Sequence, residues 1–261
     1  MTRRTRLGVT AVAIVAVVLT PFAVARAEPL RACRVTNTTQ DTRFATDTGA
    51  ALTSAVAAAD PDDRLRVLGT CVGTYVLDKD LTLIGSRAGA PRTVLDGDGQ
   101  GRVLGSTIGV STMLKRLTVT GGVSSAVGGG GGVYVDEGSR LILDHSIVAG
   151  NESAGVGGGI VNGGDLILRW SRVVRNHAEG DGGGIYNYGD AKFRASGVNR
   201  NTSGGVGGGL FNEGAVLLAA STNVRFNEAD DTGGGILNVS LVTIRLTANV
   251  ADNVPNDCEG C

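Results

Sequence analysis

The sequence predicts an all-β protein: a parallel β-helix, built as a solenoid of ~25-residue three-strand coils and closed at its N-terminal end by a short helix. Three observations carry this. The triplet Gly-Gly-Gly begins at Gly130, Gly157, Gly182, Gly207 and Gly233, at spacings of 27, 25, 25 and 26 residues. An asparagine series keeps the same period at Asn151, Asn176, Asn201, Asn227 and Asn253, preceded by a hydroxyl series at Ser146, Ser171, Ser196, Ser221 and Thr247. Self-similarity of this length marks stacked units that bury a continuous core. Within each repeat, apolar residues alternate with period two, the strand signature, and no stretch has helical spacing.

Composition agrees with this and excludes other classes. Glycine supplies 42 of 261 residues, about twice its usual share, yet without the three-residue period of collagen. An apolar fraction of 42% argues against wholesale disorder. A net charge of −1 gives no reason to expect a nucleic-acid partner.

The elements follow in chain order. Residues 1–27 carry Arg3, Arg4 and Arg6, an apolar run from Leu7 to Leu19, and the small-x-small segment Ala25-Arg26-Ala27. This is the pattern of a cleaved secretory signal. The apolar run is short for a membrane span. Cleavage would remove four arginines, leave a net charge of −5 and leave no integral membrane anchor. The expected location is secreted, extracellular or at the cell surface, with oligomeric state open.

Residues 28–64 form an N-terminal cap with a helix at about 47–59, where Ala51, Leu52, Ala55, Val56 and Ala59 share one face. Asp47 or Thr48 is placed to N-cap it. A solenoid needs its terminal edge covered, and this helix is the lid. Residues 65–255 form the solenoid. The repeat is degenerate before residue 127, where Leu65–Leu68, Leu81–Ile84 and Leu117–Val119 read as further strands. Division by the repeat length gives roughly seven coils. Residues 256–261 form a short tail. Four cysteines in an exported chain suggest disulfides. Three connectivities are possible; Cys33–Cys71 and Cys258–Cys261 are favoured, each stapling one end of the chain.

Inside the tube, like residues stack. One column is Val133, Ile160, Ile185, Leu210 and Ile236; a second is Leu141, Leu166, Ala191, Val216 and Val242; a third is Leu143, Leu168, Phe193, Leu218 and Ile244; a fourth is Val148, Val173, Val198, Val224 and Val250. Asn151, Asn176, Asn201, Asn227 and Asn253 are expected as a structural ladder, because asparagine tolerates the left-handed region and its amide can bond its copy one coil away. Asn37, Asn151, Asn201 and Asn238 also begin Asn-x-Ser/Thr glycan-acceptor motifs. A leucine-rich repeat is the competing architecture, and the glycine triplets fit it poorly.

Gly182-Gly183-Gly184-Ile185-Tyr186-Asn187 and Ser196-Gly197-Val198-Asn199-Arg200-Asn201, with their copies, resemble the repeat pair of polymorphic outer membrane proteins. The chain is similar also to exported right-handed β-helix proteins related in shape to pectate lyases. The resemblance spans roughly residues 65–255. It implies a right-handed helix and a cell-surface or extracellular setting, while the sequence contains no segment for the translocating barrel of the first group. For a lyase it implies Asp ligands for calcium plus a basic residue, and for a hydrolase paired Asp residues.

No such set assembles from the sequence. The outward column beside the glycine triplets is Tyr134, Val161, Tyr186, Phe211 and Leu237, with no carboxylate. It would make a flat apolar strip fit for a sugar or protein contact, although outward strand positions favour such residues anyway. Arg169, Arg194 and Arg245 share a second column, with Arg175 and Arg200 nearby. This stripe suits an acidic polysaccharide or is a solvated face. Asp144-His145-Ser146 cannot be a relay, since neighbours on a strand face opposite ways; His145 is expected in the interior. His177 is expected in a loop. Glu179 with Asp181, and Asp230 with Asp231, admit weak Ca²⁺ ligation, with a solvated turn the simpler reading. No cofactor or metal site is expected. The leading function is a non-catalytic surface or extracellular protein binding glycan or cell-wall polymer along one flat side. The alternative is a polysaccharide lyase or hydrolase.

Overall fold

The computed structural model describes residues 32–87, 92–125, 128–244 and 248–261. The expected signal at residues 1–27 lies outside them, as do Arg245, Leu246 and Thr247.

The chain is a parallel β-solenoid of about seven turns. One coil shows the path. Ile160–Asn162 lies in sheet C, Asp165–Arg169 in sheet A, Arg172–Val174 in sheet B and His177–Ala178 in a narrow sheet D, after which a glycine loop returns to Ile185–Asn187 in sheet C. The next coil stacks in register: Ile160 on Ile185, Leu166 on Ala191, Val173 on Val198. All four predicted aliphatic columns keep this register, and their described side chains from Val133 to Ile236 are buried.

The coil has four strands rather than three. Sheet D is made of two-residue strands, Val123–Ser124, Glu152–Ser153, His177–Ala178, Thr202–Ser203 and Glu228–Ala229. Two residues are too short to show alternation. Their inward positions are Ser124, Ser153, Ala178, Ser203 and Ala229, all small and buried.

The corners explain the polar series. At the A–B corner the chain turns through left-handed residues His145, Trp170, Ala195 and Ser221; at the B–D corner through Gly150, Arg175, Arg200, Phe226 and Asp252. Each puts the following residue inward, and those with a side chain send it outward. His145 is therefore exposed, not interior as expected. For the same reason Thr222, not Ser221, continues the buried hydroxyl series Ser146, Ser171, Ser196. The one-residue insertion in that coil moves the inward position. Ser146 and Ser171 each receive a backbone N–H from the coil before, Leu117 to Ser146 at 3.2 Å and Ser146 to Ser171 at 3.1 Å.

The asparagine ladder is continuous. Asn151, Asn176, Asn201 and Asn227 each donate Nδ2–H to the next Oδ1, at 3.0, 3.0, 3.0 and 2.9 Å. Each Nδ2 also donates to a backbone carbonyl of the preceding coil, as Asn201 does to Val173 at 3.1 Å. The Gly122 amide donates to Asn151 Oδ1 at one end. At the other end the Asp257 carboxylate accepts both the Asn253 amide and its Nδ2–H. A second ladder runs through Asn162, Asn187, Asn212 and Asn238, at 2.6, 2.7 and 2.8 Å. Its first rung stacks on Val135, and Asn162 Oδ1 is left buried without a donor. The glycan-acceptor reading fails sterically, because Asn37, Asn151, Asn201 and Asn238 are all buried.

The cap is larger than the sequence suggests. β1 (Cys33–Asn37) and β2 (Thr42–Thr46) form an antiparallel hairpin that extends sheet A beyond β3 (Asp63–Leu68). α1 (Ala50–Ala58) closes the end of the tube with Ala51, Leu52, Ala55 and Val56 buried. Gly49 is its N-cap, one residue past the expected positions; Thr48 Oγ1 accepts from the Ala50 amide and Thr46 Oγ1 from that of Ala51. Cys33 is bonded to Cys71, tying hairpin to solenoid, and Cys258 to Cys261. Cys258–Glu259 adds a last parallel strand to sheet C. Among the described residues, no helix is long and apolar enough to cross a membrane.

Candidate functional site

The predicted aromatic strip exists in register: Tyr134, Val161, Tyr186, Phe211 and Leu237 stack along the outside of sheet C. It is not an open strip. Val161 is 2% and Phe211 8% exposed. The rings cover one another: Tyr186 stacks on Phe211 with centroids 4.8 Å apart, and Tyr188 meets Tyr186 edge-on at 6.3 Å. Tyr188 lies over Gly163, where a Cβ would come within 2.6 Å of its ring, and its hydroxyl reaches Tyr134 Oη, two coils away, at 3.0 Å. Tyr186 donates to Glu213 Oε2 at 2.9 Å. Arg102 lies over the Tyr134 ring at 4.5 Å and donates to the Gly129 and Gly130 carbonyls. Burial, and then these bonds, push the Tyr186 and Tyr188 phenols well above the ordinary range. The strip's polar atoms are largely satisfied internally.

Beside it, at the C–A corner, the two-residue turns form a groove of about 360 Å³ with a glycine floor at Gly163, Gly164, Gly189 and Gly214. Asp165 and Asp190 stand on one rim as register neighbours. Asp165 Oδ2 accepts from Arg140 at 2.7 Å, while Oδ1 has no partner. The sequence reading missed this pair although its 25-residue spacing is the repeat length; what the sequence does not show is that the C–A turn opens a groove beside them.

The arginines divide between two faces. Arg169 and Arg194 are register neighbours at the end of sheet A, with Asp144 above them. Arg172 projects from the middle of sheet B, while Arg175 and Arg200 occupy its left-handed corner with sheet D. All five are exposed. Arg169, Arg172, Arg175 and Arg194 make no ion pair with any described residue, and Arg200 touches only the Phe226 ring, at 5.3 Å. Gly197 and Asn223 follow Arg172 down its column, so the centre of sheet B is shallow and polar.

Aromatic rings rim this face. Phe226, 48% exposed, lies between Arg200 and Arg225, and Arg225 pairs with Asp252. On the opposite edge Trp170, 54% exposed, stacks on His145 at 5.1 Å. His145 Nδ1 is 2.6 Å from Asp144 Oδ1, and Lys115 is 2.8 Å from Oδ2. Burial pushes the Asp144 carboxyl up, but the hydrogen bonds and charges of Lys115 and His145 prevail and hold it below the usual range. His177, expected in a loop, lies in a sheet D strand and contacts Thr202 Oγ1 at 2.8 Å.

In one acidic turn Asp181 Oδ1 accepts the Val206 amide of the next coil at 2.9 Å. Among the described residues, no three His, Cys, Asp or Glu side chains converge on a metal position. Comparison of the chain with protein-family models, curated proteins and solved structures finds no match.

Proposed function

We propose that this chain is an exported, non-catalytic β-solenoid that binds an acidic polysaccharide across sheet B, through Arg172, Arg175 and Arg200 with Trp170 and Phe226 at the rims. One observation carries the reading: exposed arginines that pair with no carboxylate among the described residues gather on one face of a chain whose net charge is −1. Arg175 and Arg200 follow one another in successive coils, where like charges repel. An anionic ligand would offset that repulsion. Arginine offers bidentate bonds to carboxylate or sulfate, and exposed rings suit the apolar faces of sugars. Export rests on the pattern of residues 1–27, and the likeness to polymorphic outer membrane and pectate-lyase-like repeats suits the same setting.

The test is titration calorimetry with polygalacturonate and with neutral dextran. Binding is expected to the first only, to weaken with salt, and to fall at least tenfold in the triple variant R172A/R175A/R200A. Equal binding of dextran, or an unaffected triple variant, overturns the assignment.

A second reading follows from Asp165 and Asp190. They are register neighbours on one rim of the groove, and paired carboxylates are what glycoside hydrolysis requires. Shortened or unsaturated products from these polymers, lost in D165N and D190N, would replace the non-catalytic reading.

A further inference from the structure

The outward face of sheet A carries a pattern that the polysaccharide reading does not use. Its central column is Met113, Ile142, Ile167, Lys192 and Leu217, in unbroken register. The four apolar members are half-buried, and among the described residues no helix or strand is layered over them. Three successive strands carry opposite charges at their two ends: Arg140 and Asp144, Asp165 and Arg169, Asp190 and Arg194. Four residues along a strand span ~13 Å, so the two ends of one strand cannot pair with each other.

We infer that this face binds a second copy of the same chain, with the two solenoids side by side, parallel, and related by a two-fold axis along the solenoid direction. That rotation reverses each strand end for end while keeping coils level. Arg169 then faces the second copy's Asp165, and Arg194 the second copy's Asp190, each contact occurring twice. Arg140 and Asp144 come level in the same way, but each is already paired within its own chain, to Asp165 and to Lys115 with His145. The outer groups matched are left over among the described residues: Arg169 and Arg194 have no ion pair, and Asp190 is exposed and likewise without one, whereas Asp165 already binds Arg140 and adds only its charge. An antiparallel pairing centred between these two coils sets aspartate on aspartate and arginine on arginine. Ile142 and Ile167 supply the apolar centre. Lys192 is the one unfavourable element near the axis, and its flexible stem lets the ammonium turn toward the neighbouring Asp190 column.

The face is modest. Five strands at ~4.8 Å and five residues at ~3.3 Å give about 800 Å² over both copies, the low end of weak, reversible association. Charge matching then decides register and partner more than affinity.

The experiment is sedimentation equilibrium of the purified protein and of R194D and D190R. Each substitution sets an opposite charge beside its own column neighbour, Arg169 or Asp165, so folding is preserved, which circular dichroism checks. The wild type is expected to dimerise, at least tenfold more weakly in high salt than in low. R194D alone and D190R alone are each expected to dimerise at least tenfold more weakly than wild type. Their equimolar mixture should recover a dimer, because one member's altered end faces the other's altered end. A wild type monomeric up to about 1 mM, variants that dimerise like wild type, or a mixture that stays monomeric would each overturn the proposal. R172A/R175A/R200A leaves sheet A intact, so loss of polysaccharide binding and loss of dimerisation are separable.

Discussion

Replacing Asn201 by alanine tests the interior of the solenoid most directly. The side chain makes four hydrogen bonds. Nδ2–H donates to the Val173 carbonyl at 3.1 Å and to Asn227 Oδ1 at 3.0 Å, while Oδ1 accepts the Asn176 amide and its Nδ2–H, both at 3.0 Å. At roughly 0.5–1.5 kcal/mol net each, their loss costs between about 2 and 6 kcal/mol. The Asn176 amide N–H loses its side-chain acceptor in a buried site, which favours the upper half. Urea denaturation followed by circular dichroism reads the change as a shift in midpoint at constant slope. Asn223→Ala is the control: that side chain is exposed and makes one long local contact to the Ser221 carbonyl, so it should cost under about 0.5 kcal/mol. Asn201→Asp sharpens the test. A carboxylate of the same shape cannot donate, and it faces two acceptors in a buried site, so its pKa in the folded state lies above that in the unfolded chain. The unfolded chain then releases the proton first. Stability is therefore lost as pH rises above the ordinary carboxylate range and is recovered as pH falls. At pH 7 Asn201→Asp should be less stable than Asn201→Ala, with the gap closing in acid. A cost for Asn201→Ala below about 1 kcal/mol would show that the ladder follows from the fold rather than holding it.

Three further outcomes are expected. Val135→Asn gives the orphaned Asn162 Oδ1 a donor and lies level with the next coil's Asn162; it should stay within about 1 kcal/mol of wild type by denaturant titration, whereas an unsatisfied buried amide would cost several. Tyr75→Phe removes a buried hydroxyl that has no partner, so thermal denaturation should show equal or greater stability. Burial, with the Asp96 charge, pushes the Tyr75 phenol up to about 12; its contribution is complete below pH 10 and is lost as pH rises toward 12, so the wild type should lose stability there faster than Tyr75→Phe. Gly184→Ala would place a methyl 2.5 Å from the Gly209 carbonyl and 2.8 Å from Asn201 Nδ2; it should lower the melting temperature by many degrees, and an unchanged melting curve would refute the close coil-to-coil contact.

The stacking of the coils was legible because each repeat carries it redundantly. Val148 on Val173 on Val198 needs only a period, and the period is printed in the glycines and asparagines. The site was less legible. The column Tyr134, Val161, Tyr186, Phe211 and Leu237 followed from alternation, but its covering did not, because Tyr188 and Arg102 come from other positions in the repeat. His145 was misplaced for a related reason. Alternation carried through the A–B corner turns it inward, whereas a left-handed residue resets the phase by one.

The sequence by itself determined which residues lie level with one another, because the repeat length sets the register and parallel stacking puts identical positions ~4.8 Å apart. Only the tertiary structure decided which side each column faces beyond a corner, and which columns of different strands meet there. Phase across a turn depends on one backbone dihedral, and that dihedral follows from where the rest of the coil must close. The basic face of sheet B and the groove beside Asp165 and Asp190 arise in that closure.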